Sequence, residues 1–367
     1  MVGFIFASPR KTDFFHVIGV KVRMSMNNYK HTTKQNNNTT QVFFASSSVL
    51  GKFHGATEVQ AFRSTNKQNI KTTPMSLSFS GDNEYTNFAS FPQMIAFINK
   101  SNSSDNSGHT RPTTKVKIRN MDLSDDTMVR ELVIVLKHIK HLEMRHCGIT
   151  DITALTTLTQ LDYLNLNHNR ITDITGLSSL THLKYLNINR NEIADIRCLS
   201  TLTQLKTLDI GNIKIVDITG LSSLTQLNTL DLRNNKIADI RCLSSLTQLK
   251  TLYLYLNKIT DITSLSTLTQ LNTLDLKFNQ IIDITSLSTL TQLNTLNIGG
   301  NQITDITSLS TLTQLNTLDL WFNKITDITC LAALTQLKTL RHMYNQLHDL
   351  SGMAIDMEPI PMLENLS

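Results

Sequence analysis

The side chains able to do chemistry here are mainly carboxylates, histidines and cysteines, and their spacing decides what chemistry is open to them. Ten aspartates recur every 22 residues, from Asp151 to Asp349. Each precedes Ile or Leu and stands alone, without the Gly-Asp clusters of calcium-binding repeats, so each reads as the cap of a short helical turn. His141, His146 and His168 fall close together in the same register, but no Cys or carboxylate joins them at a spacing suited to zinc. They read as surface histidines. Cys198, Cys242 and Cys330 share one repeat position. The first two would stand about 10 Å apart by strand spacing, too far for a disulfide, and nothing in the cysteine usage demands an oxidising compartment. No P-loop, Gly-x-Ser-x-Gly, His-Glu-x-x-His or dinucleotide fingerprint occurs. The sequence therefore offers no catalytic residue and no cofactor or metal site, and the expectation is a protein that is not an enzyme.

What positions these residues is a repeat. A 22-residue phrase is written ten times over residues 139–358 without an insertion. Counting its first leucine as position one, apolar residues fall at positions one, four, six, eleven, fourteen, seventeen and twenty. In one copy these are Leu271, Leu274, Leu276, Ile281, Ile284, Leu287 and Leu290. That spacing fits neither a helix nor a long strand. It fits a coil that turns inward repeatedly, whose turns must stack to bury their apolar edges. Position nine is Asn in eight copies, Asn279 among them. An inward asparagine there can satisfy backbone groups of its own and the adjacent turn. Cys147 and Ile213 are the exceptions, and the turn at Ile213 is expected to be irregular.

The phrase Leu-x-x-Leu-x-Leu-x-x-Asn resembles the leucine-rich repeat. The resemblance implies an α/β solenoid, a right-handed superhelix with a concave parallel β-sheet. Twenty-two residues leave no room for a full convex helix, so 3₁₀ or single helical turns are expected there. The repeat length and the Asp-Ile-x-x-Leu phrase are similar to the bacterial internalins and to the leucine-rich regulatory subunit of type-1 protein phosphatase.

Four segments follow. Residues 1–110 are Asn/Ser/Thr-rich and expected to be a mostly disordered leader, with a short helix near 90–99 as an exception. Residues 111–138 carry a strand at Val116–Ile118 and a helix over Thr127–His138, with Val129, Leu132, Val133 and Leu136 on its inner face, and read as the N-terminal cap. The repeats occupy 139–358, and 359–367 is a tail. The formal net charge is +5, and the leader holds 11 Lys and Arg against 5 Asp and Glu, so the basic balance belongs to the leader. A weakly basic, unclustered leader gives no ground for expecting nucleic acid. The apolar run Val2–Ala7 is too short to span a membrane or to act as a signal peptide.

Because core positions repeat, information sits where the copies differ. Positions three, five and seven should face the concave side, with position eight on its rim. Large aromatics collect in the C-terminal half: Tyr253, Tyr255, Phe278, Trp321, Phe322 and Tyr344. The core does not need them, and clustered aromatics mark interaction surfaces. Gly299 and Gly300 should leave a dip between Phe278 and Phe322 for a partner's side chain. Charged neighbours complete the candidate surface: Arg233, Asp275, Lys277, Asp319 and Arg341. Arg233 can neutralise Asp231 locally, as Lys277 can Asp275. The function expected is a monomeric, cytoplasmic scaffold that binds a protein partner on this surface. Resemblance alone supplies two alternatives, a type-1 phosphatase regulatory subunit and a secreted internalin-like adhesin.

Overall fold

The computed structural model describes residues 58–63, 75–79, 85–88, 91–102 and 115–347. The tail at 359–367 and the rest of the leader lie outside the described residues.

The three-residue interval between positions fourteen, seventeen, twenty and the next position one shapes the convex side. A 3₁₀ turn has three residues per turn, so side chains at that interval share one edge. Ile152, Leu155, Leu158 and Leu161 are all buried. The Leu155 N–H donates to the Ile152 carbonyl, Leu158 to Leu155, and Leu161 to Leu158, at 2.9–3.0 Å. The same pattern recurs in successive 3₁₀ turns, from Thr153–Thr157 to Thr329–Ala333. The aspartates act one residue further out than a cap. The capping position is Ile152, which has no side chain able to bond. Asp151, just before it, accepts the Thr153 N–H at 2.8 Å, and Asp173, Asp217 and Asp305 accept the equivalent N–H. These bonds satisfy a donor the short turn leaves open.

Opposite these turns lies the sheet. Strand β5 (His141–Arg145) is followed by three-residue strands, β6 (Tyr163–Asn165) to β14 (Thr339–Arg341). Each pairs in parallel with its neighbour one repeat away, as Thr273, Leu274 and Asp275 pair with Thr295, Leu296 and Asn297. The middle residue points inward; Leu252, Leu274 and Leu296 are fully buried. Strand β4 (Lys115–Arg119) extends the series, making eleven parallel strands from β4 to β14.

Strand β4 and the helix after it lie between the repeats and the elements of the leader. Helix α2 (Asp126–Val135) starts where the Asp125 carboxylate accepts the Thr127 N–H at 2.9 Å, and it buries Val129, Leu132 and Val133. It ends short of the expected His138 because Leu136 turns back to bond the Val133 carbonyl. The described parts of the leader are ordered elements. Strands β1 (Glu58–Arg63), β2 (Met75–Phe79) and β3 (Tyr85–Phe88) continue the sheet beyond β4, with β1 parallel to β4 and the other two antiparallel. Helix α1 (Phe91–Asn102) adds Phe91, Met94 and Ile98 to the same core. The helix lies where one is expected near 90–99, whereas the Asn/Ser/Thr-rich composition hides the three strands; a few well-spaced apolar residues suffice to dock an element on an existing core.

The asparagine column ties copies together. Asn279 accepts the Ile259 N–H at 3.0 Å and donates to the Leu254 and Leu276 carbonyls, each at 3.0 Å. Where position nine is not Asn, the next residue turns left-handed: Gly148 has φ +71° and Lys214 φ +66°. The copy beginning at Leu205 thus carries the expected irregularity. Lys214 does not donate to the Ile193 carbonyl, although the matching bond forms in the adjoining copies, Glu192 to Ile171 and Lys236 to Ile215.

Candidate functional site

Position eight leaves the strand and turns the chain toward the convex side. Its backbone is left-handed in all ten copies, with φ between +52° and +67°. The turn lets its N–H reach the next copy's position-seven carbonyl, as Phe278 reaches Gly299 at 2.9 Å. This conformation costs an ordinary residue roughly 1–2 kcal/mol, and least for Gly and Asn. Asn212, Asn234 and Gly300 follow that preference. Leu256, Phe278, Phe322 and Tyr344 do not. They are large, and they stand 41%, 38%, 57% and 68% exposed. Neither the turn nor the core accounts for them. Phe322 stands out from the loop, while Phe278, the least exposed of the four, leans on Gly300 of the next copy.

Phe278, Phe322 and Tyr344 join the position-seven aromatics Tyr255 and Trp321 in a continuous cluster. Tyr255 meets the edge of Phe278 at 5.5 Å between ring centroids, Phe278 meets Trp321 at 5.8 Å, and Trp321 meets Tyr344 at 5.8 Å. Phe322 lies beside both Trp321 and Tyr344. The expected dip at Gly299 and Gly300 is not open. A Cβ on Gly300 would lie 2.7 Å from Phe278 Cδ1, and one on Gly299 would lie 2.9 Å from the Trp321 carbonyl oxygen. With no side chain in that copy, Phe278 and Trp321 close over it, so the surface is a ridge and not a socket.

The charged candidates pair among themselves. Arg233 donates through Nε and Nη2 to one Asp231 oxygen, and its guanidinium lies 5.4 Å from the centre of the Tyr253 ring. Lys277 Nζ stands 3.8 Å from Asp275 and 5.8 Å from the Tyr255 ring centre. Arg341 reaches Asp319 at 3.8 Å. Local neutralisation thus accounts for these aspartates. Asp209 has amide partners instead, accepting from Asn187 and Asn189 at 2.8 and 3.0 Å. Burial, then the charge of Asp231, raises its pKa above the ordinary value.

The N-terminal half holds features that the spacing arguments missed. His141, Tyr163 and Tyr185 stack face to face, with centroids 3.7 and 4.0 Å apart, and His146 stacks on His168 at 3.8 Å. The buried Glu143 carboxylate lies within 4 Å of Lys117, Arg119, His141 and Arg145. Burial pushes its pKa up, but bonds from His141 and Arg119 and the charges of Arg145 and Lys117 prevail and hold it at about 2. The signal was the run His-Tyr-Tyr at position three, where later copies carry Thr. No group of three or more metal-binding side chains occurs among the described residues.

The family model described as leucine-rich repeats (2 copies) matches residues 137–179, 181–223, 225–267 and 269–311. An internalin (inlF) from Listeria monocytogenes is 38% identical, with 58% of this chain and 69% of that one covered and a TM-score of 0.51. The functional domain of InlJ from the same organism is 30% identical, with 65% and 49% covered and a TM-score of 0.55. A leucine-rich repeat protein from Leptospira interrogans is 26% identical, with 65% and 63% covered and a TM-score of 0.60. No curated protein sequence matches the chain. Repeat motif, sheet, 3₁₀ turns and sequence identity agree: the chain belongs to the leucine-rich repeat family, and its repeats are internalin-like.

Proposed function

We propose that the chain is a non-enzymatic scaffold that captures a protein partner on the C-terminal half of its concave face and rim. Leucine-rich repeat proteins are typically protein-interaction scaffolds. The observation that carries the proposal is at position eight. Four large side chains occupy a backbone conformation that disfavours them, and they remain exposed. Trp321, Tyr255 and Tyr253 extend the apolar surface inward, and buried aromatic anchors of this kind dominate binding energy in many interfaces. The paired charges at Arg233, Lys277 and Arg341 form a polar border around it. The scaffold acts as a monomer inside the cell. Partner capture with wild type and a Tyr255→Ala/Trp321→Ala variant tests the reading. Partners should be lost from the variant while its circular dichroism is unchanged. Retention of every partner by the folded variant would refute the surface. A second reading, a binding module displayed outside the cell, draws on the 38% identity to an internalin; recovery of the native protein in the cell interior would count against it.

A further inference from the structure

The rim carries a charge pattern that the aromatic ridge alone does not explain. Between positions seven and twelve, the ten copies hold nine Lys and Arg and a single carboxylate, Glu192. In the five copies that bear the ridge, these positions hold Lys258, Lys277 and Lys324 and no carboxylate; the aspartate column begins at position thirteen, where Asp261, Asp283 and Asp327 are engaged by the N–H groups of the convex turns. Lys277 is engaged with Asp275, but Lys258 and Lys324 are exposed and have no ion-pair partner among the described residues. A partner along this edge therefore meets apolar rings flanked by positive charge, and the complementary surface is apolar flanked by Asp and Glu.

The backbone of the rim selects the partner's shape. An extended segment gains affinity by adding main-chain hydrogen bonds to an open edge. Here the N–H groups of Leu256, Phe278 and Phe322 already donate to the carbonyls of Lys277, Gly299 and Met343. The partner must bring a backbone whose hydrogen bonds are already made, and a helix does so. Spacing agrees. Position eight recurs once per copy, about 4.8 Å apart, close to the ~5.4 Å of one helical turn and well short of the ~6.8 Å between same-face residues of a strand, and Gly300 leaves the middle of its five places bare. From Leu256 to Tyr344 the ridge spans roughly 19 Å, the length of about 13 helical residues.

We infer that the partner segment is an acidic amphipathic helix, laid along the rim with its apolar face on Leu256, Phe278, Phe322 and Tyr344 and its carboxylates toward Lys258 and Lys324. This rests on the partner-binding reading above and adds the chemistry of what binds.

The chain's one tryptophan, Trp321, sits in the ridge and reports binding by its fluorescence. The probes are synthetic peptides of about 18 residues with Leu and Phe at helical i, i+4, i+7 and i+11 spacing. One has Glu flanks, one Lys flanks, and one has Glu flanks with a central Pro that breaks the helix. A single-stranded oligonucleotide stands for polyanions without an apolar face. The Glu-flanked helix should bind the full chain at least tenfold tighter than the other three probes. Lys258→Glu/Lys324→Glu should weaken it by roughly ten- to thirty-fold and favour the Lys-flanked peptide instead. Phe322→Ser/Tyr344→Ser should abolish it. Equal binding of the Glu- and Lys-flanked peptides, equal binding of the Pro peptide, tighter binding of the oligonucleotide, or no peptide binding would each overturn the inference. Charge-blind peptide binding that is still lost in Phe322→Ser/Tyr344→Ser would leave the scaffold reading standing; partner capture that ignores Tyr255 and Trp321 would remove that reading by itself.

Discussion

Removing one asparagine from the middle of the column is the most direct test of how the copies are held together. Asn279→Ala deletes four bonds: the one accepted from the Ile259 N–H, the two donated to Leu254 and Leu276, and a longer one donated to the Lys277 carbonyl at 3.4 Å, which keeps the Leu256 N–H. Their consequences differ. The Leu254 carbonyl keeps the amide of Asn257, and Leu276 keeps that of Asn301. Each carbonyl is left with one donor in place of two. The Ile259 N–H has no second acceptor and is buried, so it is orphaned. Orphaning a buried donor costs about 1–3 kcal/mol, and the weakened Leu254 and Leu276 carbonyls about 0.5–1 kcal/mol each, giving roughly 2–5 kcal/mol in all. In a solenoid the damage falls on the coupling between neighbouring copies, so the unfolding transition should also broaden. Urea denaturation followed by far-ultraviolet circular dichroism reads both. The chain contains its own comparison at Ile213, where the column is already interrupted, and the Ile193 N–H should exchange with solvent faster than the Ile259 N–H. A loss below about 1 kcal/mol with an unbroadened transition would mean that leucine packing alone couples the copies, and that the column is incidental.

Two more outcomes follow. Glu143→Gln should destabilise the N-terminal half by about 1–3 kcal/mol at neutral pH, because four basic groups lose their shared carboxylate. The folded pKa of about 2 lies below the ordinary 4.5, so this contribution is present above pH 4.5 and fades as pH falls toward 2; a gap between variant and wild type that stayed constant across that window in denaturation experiments would contradict the assignment. Gly300→Ala should push the Phe278 ring aside and expose Trp321, shifting its emission to the red at a stability cost of about 1 kcal/mol; unchanged emission would mean that the two rings do not close over the glycines.

The sequence made the fold legible wherever the period carried it. Leu274 and Leu276 locate the strand face, and the three-residue spacing of Ile284, Leu287 and Leu290 requires a 3₁₀ edge. The composition of the leader concealed strands β1, β2 and β3, whereas α1 lies where a short helix is expected near 90–99. At the candidate surface, the columns give Tyr255, Phe278, Trp321, Phe322 and Tyr344, whose rings meet, but also Tyr253, whose ring faces Arg233 instead. The closed dip could not be read from them. Deleting a side chain in one copy leaves space, and whether neighbours fill it depends on rotamers that a pattern of letters does not encode. Pairing behaved similarly: Arg233 with Asp231 follows from spacing within one strand, whereas Arg341 with Asp319 spans two copies and needs the register.

The left-handed turn at position eight also shows why the two ends of the array could diverge without disturbing the fold. Its backbone bond is made whatever the side chain, as His168, Asn234 and Phe278 all show. The side chain is directed away from the leucine spine, so its replacement alters the surface and leaves core volume unchanged. The N-terminal copies use this slot for stacked histidines, the middle ones for asparagine, and the C-terminal ones for aromatic rings. A core built from near-identical turns is thus what permits a surface in which no two neighbours need agree. The cost of a bulky residue in this conformation is local and of the order of 1 kcal/mol per position, small enough for a partner's contact with the exposed ring to offset.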